Sequence, residues 1–446
     1  MRNIVSGLIA CVVFFISCSS VKQIGRSANE NVLKDPALQT AHVGISIYNP
    51  ATNKYVYNYQ GDKYFVPASN TKIPTCYAAM KYLGDSLVAA RLAIDEEDSA
   101  VLIYPSGDPT FLHADYTFQP LFEAVRRFPV LRLNFSSWKS QRWGSGWSWN
   151  DYDEAYMAER SAFPVYGNVI KFKLAGDTLQ TFLKEPTFWF SQPDTFNYEK
   201  ETHIIHSKYF TLERAIDDNR YYVKPSKGLF KAAEIPFRAD FEFVSKLLED
   251  TIGSQYVSLS DASKEYVYNP AKRILYSQPT DSLLKPLMHR SDNFFAEQVL
   301  LMVSNEVLGE MNDAKIIDTI LKSDFKDLPH KPRWVDGSGL SRYNLFTPQD
   351  MVAILNKMQA EFGMERIKEI FPTGNDGTLT NYYKKESGYI FAKTGTLSGV
   401  VALSGFLYTQ KNQLLIFSVL VNNHQASSTA VRRAVEKFIE SIREQY

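Results

Sequence analysis

At 446 residues the chain is long enough for two or three domains and a large core without covalent staples. Lysine plus arginine and aspartate plus glutamate number 49 each, so no long-range field directs it to nucleic acid or to an anionic surface. Aromatic residues make up 14% of the chain, enough to line a glycan or peptide cleft, although packing is the plainer use.

The N-terminus carries an export signal. Arg2 precedes an apolar run from Ile4 to Ile16, too short to span a bilayer and suited to a signal-peptide core. Phe15-Ile16-Ser17-Cys18 resembles a bacterial lipoprotein box, with Cys18 as the lipidated first residue of the mature protein and Phe in place of the usual Leu. Residues 1–18 are thus read as signal and box, and 19–38, polar and without periodicity, as a tether. Cys11 leaves with the signal and Cys18 is blocked. Cys76 alone remains, in an apolar helical run, where a buried inert thiol is expected.

Val43, Ile45 and Ile47 alternate within His42–Tyr48. With Asn49-Pro50 and then Lys54–Tyr59 the segment predicts a hairpin. Val66-Pro67-Ala68-Ser69 predicts a turn, followed by a helix over about Asn70–Leu83, stopped by Gly84 and made irregular by Pro74. Residues from about Asp85 to Ser277 show Pro, Gly, Trp and Tyr clusters and short alternating runs, and predict a β-rich insertion. Thr347, Pro348 and Asp350 predict a capped helix reaching Met358. Tyr389–Lys393, Val400–Tyr408 and Leu414–Val421 predict three strands. A helix capped by Ser427 or Ser428 follows, with Val431, Val435, Phe438 and Ile442 on its apolar stripe. The fold class is α+β: a domain of residues 39–86 and 278–446, split by an inserted domain at 87–277.

No H-E-x-x-H occurs, and His203-x-x-His206 reads as a strand surface rather than a zinc site, so neither a metal nor a cofactor is expected. No G-x-S-x-G elbow occurs either, which leaves serine–lysine chemistry. Ser69-Asn70-Thr71-Lys72 fits S-x-x-K, as do Ser19/Lys22, Ser136/Lys139, Ser282/Lys285 and Ser323/Lys326. Only Ser69 heads an apolar helix, where serine and lysine share one face and the helix dipole favours an oxyanion. A lysine buried beside it can lose its proton near neutrality and act as base. Ser291-Asp292-Asn293 fits S-x-N, and Lys393-Thr394-Gly395 is the sole K-[ST]-G, at the end of a predicted strand. The order of the three motifs, each on a suitable element, is the strong signal.

In these motifs the sequence resembles the penicillin-recognising serine peptidases. Within them it is similar to the class C low-molecular-mass group that includes penicillin-binding protein 4 (peptidase family S13). Gly107-Asp108-Pro109-Thr110, Trp147-Ser148-Trp149-Asn150-Asp151, Asp336–Arg342 and Asp376-Gly377-Thr378-Leu379 resemble further stretches of that group, as does the 222-residue interval from Ser69 to Ser291.

The resemblance implies a β-lactamase/transpeptidase-like domain with an antiparallel five-stranded sheet flanked by helices. It implies a D-Ala-D-Ala carboxypeptidase, with DD-endopeptidase cleavage as a related use, acting on peptidoglycan stem peptides through an acyl-enzyme and inhibited by β-lactams. Ser69 is then the nucleophile, Lys72 its base, Ser291 and Lys393 the proton relay to the leaving amine, and Asn293 a substrate contact. Thr394, Gly395 and Thr396 form the substrate-binding edge. The expected location is the bacterial cell envelope or periplasm, on a lipid anchor at Cys18. A serine β-lactamase shares the three motifs, but no loop for a deacylating acid is evident. A non-catalytic peptidoglycan-binding lipoprotein of the same fold is the other alternative, and the intact motifs argue against it.

Overall fold

The computed structural model describes residues 22–95, 99–183, 187–190, 198–199, 203–253, 256–260 and 273–446. The signal segment and Cys18 lie outside them. Two compact units emerge: Met1–Met80 with Leu284–Asp292 and Ile317–Tyr446, and Lys81–Leu283 with Asn293–Ile316.

The first unit is built on a five-stranded sheet in the order Ile390–Leu397, Val400–Tyr408, Leu414–Asn422, His42–Asn49, Lys54–Tyr59. Every neighbouring pair is antiparallel. Alternation assigns the faces: Val43, Ile45 and Ile47 join Phe417, Val419 and Val421 in a core beneath the C-terminal helix Ser428–Gln445. The opposite face meets the helix Pro348–Ile370. Gly44 lies on that face because a β-carbon there would meet Phe65 and stand 2.8 Å from Pro348 Cγ.

Helix ends follow from local side-chain chemistry. Thr347 Oγ1 accepts from Asp350 N at 3.0 Å while Asp350 Oδ2 accepts from Thr347 N at 3.1 Å, a complete capping box. The helix continues past Met358 to Ile370, broken only at Gly363, whose φ of +74° a non-glycine residue rarely adopts. Ser427 caps the last helix by accepting from Ala430 N at 3.2 Å.

Three expectations are corrected. The segment read as a tether is, from Lys22 to Leu33, helical, and Ile24, Ala28 and Val32 are fully buried in the core of Phe438 and Ile439. Their spacing of four residues puts them on one helical stripe, a pattern hidden by polar neighbours. The helix expected from Asn70 starts as a 3-10 turn, Ala68–Thr71, and becomes α-helical only over Lys72–Tyr82. Pro74 therefore falls in the first turn of the α-helix, where a proline is tolerated. The K-T-G motif lies within the strand Ile390–Leu397, not at its end.

The second unit is rich in β-structure. One sheet has the order Tyr256–Leu259, Val130–Leu133, Ala100–Pro105, Ser86–Asp95, Arg273–Pro279, and a five-stranded and a three-stranded sheet accompany it. Phe111, Phe163, Phe172, Tyr221 and Phe237 fill its core. The helix Asn293–Leu308 groups with this unit rather than with the first. Gln298 Nε2 donates to Gly107 O at 2.8 Å and to Ser161 O at 2.9 Å. Arg160 reaches Glu297 and Asp313, at 3.3 and 2.8 Å. Buried charges of this kind are retained only when paired.

Candidate active site

Ser69 sits in the 3-10 turn, anchored on both sides. Asn422 clamps Val66, its Oδ1 accepting from Val66 N at 2.8 Å and its Nδ2 donating to Val66 O at 3.0 Å. Asn70 Nδ2 donates to Lys393 O at 2.8 Å, tying the turn to the edge strand. Ala68, before Ser69, holds a left-handed φ of +47°, a strained conformation for a residue with a β-carbon. Side-chain and backbone anchors over-determine it.

Lys72 is fully buried, and its Nζ lies 3.2 Å from Ser69 Oγ. The same Nζ donates to Ser338 O at 2.7 Å, and Thr75 Oγ1 donates to Gly337 O at 2.7 Å. These carbonyls come from a loop knotted by the Asp336 carboxylate, which accepts from Gly339 N, Ser341 N and Asn344 Nδ2 at 2.7–2.9 Å. Backbone oxygens of a glycine-rich loop thus aim the lysine. The family resemblance of Asp336–Arg342 carries no role for these carbonyls.

Lys393 is equally buried and donates to Ser291 Oγ and to Thr394 O, both at 2.8 Å. Burial first, then the charges of Lys72 and Arg432, hold its amine well below the usual lysine range. Ser291, like Ala68, has a positive φ, +61°. Two serine–lysine pairs, Ser69 with Lys72 and Ser291 with Lys393, therefore stand in one electrostatic environment. Asn293 opens the helix of the second unit, where its Nδ2 donates to Tyr156 O at 2.9 Å.

The edge strand supplies donors. Tyr408 N donates to Tyr389 O, and Ala392 N donates away from the sheet to Pro372 O. Backbone direction alternates along a strand, so the N–H groups of Thr394 and Thr396 also face outward along the open edge. Gly395 is required here: a β-carbon would stand 2.7 Å from Pro67 O and 3.1 Å from Ser69 N. That close approach brings the outward N–H groups of the strand beside the backbone of the nucleophile. Sequence reasoning missed Arg432, whose Nη2 donates to Thr396 Oγ1. An arginine on a helix surface carries no signal that sets it apart from a solvated one. Among the described residues no group of three or more metal-ligating side chains converges.

Comparison with known proteins bears on this arrangement. The D-Ala-D-Ala carboxypeptidase 3 (S13) family matches residues 26–445. A D-alanyl-D-alanine carboxypeptidase from Haemophilus influenzae is 23% identical, with 95% of this chain and 94% of that protein aligned. Another, from an Actinomadura species, is 26% identical over 91% of this chain and 82% of that one. Among solved structures, penicillin binding protein 4 of Haemophilus influenzae superposes with a TM-score of 0.71 at 20% identity, covering 94% of this chain and 98% of that one. A predatory peptidoglycan endopeptidase of Bdellovibrio bacteriovorus superposes with a TM-score of 0.51 at 14% identity, over 90% and 93%. At such identities the superpositions speak for the fold, and the family match speaks for the chemistry. The chain belongs to the D-Ala-D-Ala carboxypeptidase 3 (S13) family and is a serine-type D-Ala-D-Ala carboxypeptidase of α+β fold.

Proposed function

We propose that Ser69 is the acylated nucleophile and that the two serine–lysine pairs carry the protons. Neutral Lys72 takes the Ser69 hydroxyl proton as Oγ bonds to the carbonyl carbon between the terminal D-alanines. The oxyanion accepts from the N–H groups of Ser69 and Thr396, each donor contributing about 3 kcal/mol in comparable sites. As the C–N bond breaks, Ser291 hands a proton to the leaving amine and recovers, through Lys393, the one that Lys72 took, so Lys72 is neutral again. Water then attacks the ester carbonyl and gives a proton to Lys72, which passes it to Ser69 Oγ as the C–O bond breaks, restoring the Ser69 hydroxyl and neutral Lys72.

Thr394 and Thr396, with Lys393, hold the terminal carboxylate of the stem peptide, and Asn293 its penultimate amide. Gly395 keeps the strand close enough to do so. β-Lactams, which mimic the D-Ala-D-Ala end, acylate the same serine. The observation that carries the reading is Lys72 Nζ at 3.2 Å from Ser69 Oγ beside Lys393 Nζ at 2.8 Å from Ser291 Oγ. The test is covalent labelling by a fluorescent penicillin with mapping of the modified peptide. Labelling of wild type on Ser69 and none in Ser69→Ala is expected. Labelling retained in that variant overturns the assignment.

The protein works in the bacterial envelope, exported by its N-terminal signal and anchored by lipid at Cys18. The apolar run Ile4–Ile16, followed at once by Ser17-Cys18, supports this reading. Cys18→Ala is expected to release the protein from the membrane fraction. Unchanged membrane retention and cleavage site would leave an ordinary signal peptide.

A further inference from the structure

The strand Ile390–Leu397 alternates its side chains between the two faces of the sheet. Lys393 lies on the face where it meets Ser291. Ala392 belongs to the core beneath the C-terminal helix, with Val431, Val435 and Phe438, so Thr394 and Thr396 follow it toward that helix. Arg432 stands in the second turn of the same helix, and its Nη2 donates to Thr396 Oγ1 at 2.5 Å.

The polarity of this bond is fixed by chemistry. A guanidinium has five N–H donors and no acceptor, so the Thr396 oxygen is the acceptor. The hydroxyl proton of Thr396 is thereby turned away from Arg432, and Thr396 is exposed on the open edge of the sheet. It is set to donate to an anion arriving there. Arg432 also keeps its charge in reserve. Neighbouring Arg433 is paired with Glu436, but among the described residues no carboxylate lies within ion-pair distance of Arg432. An anion arriving at the edge would meet this guanidinium and the Thr396 hydroxyl together.

We infer that Arg432 is a positioning and specificity residue for the substrate's C-terminal carboxylate. It holds the Thr396 oxygen so that the Thr396 hydroxyl donates to the carboxylate, and its unpaired charge sets the preference for that carboxylate over a neutral end. The inference rests on the reading that Thr394 and Thr396 hold this group.

The experiment compares kcat and KM for a diacyl-D-Ala-D-Ala peptide and for its C-terminal amide. The proteins are wild type, Arg432→Ala, Arg432→Lys, Thr396→Val and the Arg432→Ala/Thr396→Val double variant. Arg432→Ala is expected to lower kcat/KM for the acid roughly tenfold to a hundredfold, as loss of a charge-assisted hydrogen bond does, chiefly through KM. The amide should change little, and Arg432→Lys should recover part of the loss. The double variant should lose less than the product of the two single effects, because one residue acts partly through the other. If Thr396→Val loses the acid preference while Arg432→Ala keeps it, the role of Arg432 falls and the carboxylate reading stands. If both variants keep the preference, the carboxylate reading itself falls and the inference with it. Equal losses on acid and amide in Arg432→Ala, with a lowered Tm, would assign the residue to propping the strand and overturn the proposal.

Discussion

The α-carbon of Gly339 stands so close to Ala68 that a β-carbon on it would lie 1.9 Å from the Ala68 carbonyl oxygen and 2.5 Å from the carbonyl carbon. Gly339 itself has φ +86°, and its N–H is held by Asp336 Oδ1 at 2.9 Å. The residue before the nucleophile and the loop that aims Lys72 are therefore one packed object. Ser338 gives its carbonyl to Lys72, and Gly339 makes room for the carbonyl of Ala68.

Gly339→Ala should thus damage catalysis and stability together. The overlap is with backbone, which cannot rotate aside, and the positive φ adds about 1 kcal/mol or more for a residue with a β-carbon. We expect a stability loss of about 3 kcal/mol and penicillin acylation at least roughly a hundredfold slower, since a displacement near 1 Å in a reacting pair has that effect. Urea unfolding and the acylation rate check this. A variant with normal stability and rate would show that the loop moves independently of the nucleophile turn.

What could be read from the sequence follows a physical division. His42–Asn49 was legible from the alternation of Val43, Ile45 and Ile47, and Val400–Tyr408 as a short apolar run, which the sheet buries on both faces. The pairing of Ser69 with Lys72 was legible because S-x-x-K fixes side-chain identity at a local spacing, whereas the meeting of Ser291 with Lys393 depends on the fold. The Ser338 and Gly337 carbonyls were not, because any residue supplies a carbonyl and only the path of the loop aims it. The grouping of Asn293–Ile316 with the second unit was hidden for a related reason. It rests on Gln298 meeting Gly107 and Ser161, and on Arg160 meeting Glu297, across more than a hundred residues of chain.

Turnover should be independent of metal. In the proposed mechanism the proton transfers run between serine hydroxyls and lysine amines, and no group of three metal-ligating side chains converges among the described residues. Hydrolysis of a D-Ala-D-Ala peptide measured before and after a strong chelator should give the same rate. A loss of rate reversed by added zinc would reveal a site.

Lys393 makes stability depend on pH with a definite sign. Burial, aided by Lys72 and Arg432, holds its folded-state pKa well below 10.5, the value near which it titrates when unfolded. Between the two values the unfolded chain binds a proton that the folded protein does not, so this group lowers stability as pH falls from 10.5 and levels off at the folded pKa. Lys393→Met removes the dependence. It also strands the Ser291 hydroxyl and the Thr394 carbonyl, a cost that does not vary with pH in this range. The slope, rather than the absolute difference, is the test. Stability of the variant relative to wild type, from urea unfolding, should be greatest near neutral pH and shrink as pH rises toward 10.5. Parallel curves would mean that Lys393 stays charged when folded.

The N-terminal helix gives the last prediction. A free tether between anchor and enzyme could be shortened without effect on the fold. Ile24, Ala28 and Val32 are instead fully buried against the C-terminal helix, and Ser27 Oγ meets Ser441 Oγ across the same contact. Ile24→Ala should therefore cost about 2–4 kcal/mol, the transfer and cavity cost of a large core side chain. Removal of residues through Leu33 should cost more, because it uncovers the whole stripe on Phe438 and Ile439. Acylation of whatever remains folded should proceed normally, since Ser69 and Lys72 take their partners from other elements. Urea unfolding of the soluble protein starting at residue 22, against one starting at residue 34, decides the matter. Equal midpoints would return the segment to the role of a tether.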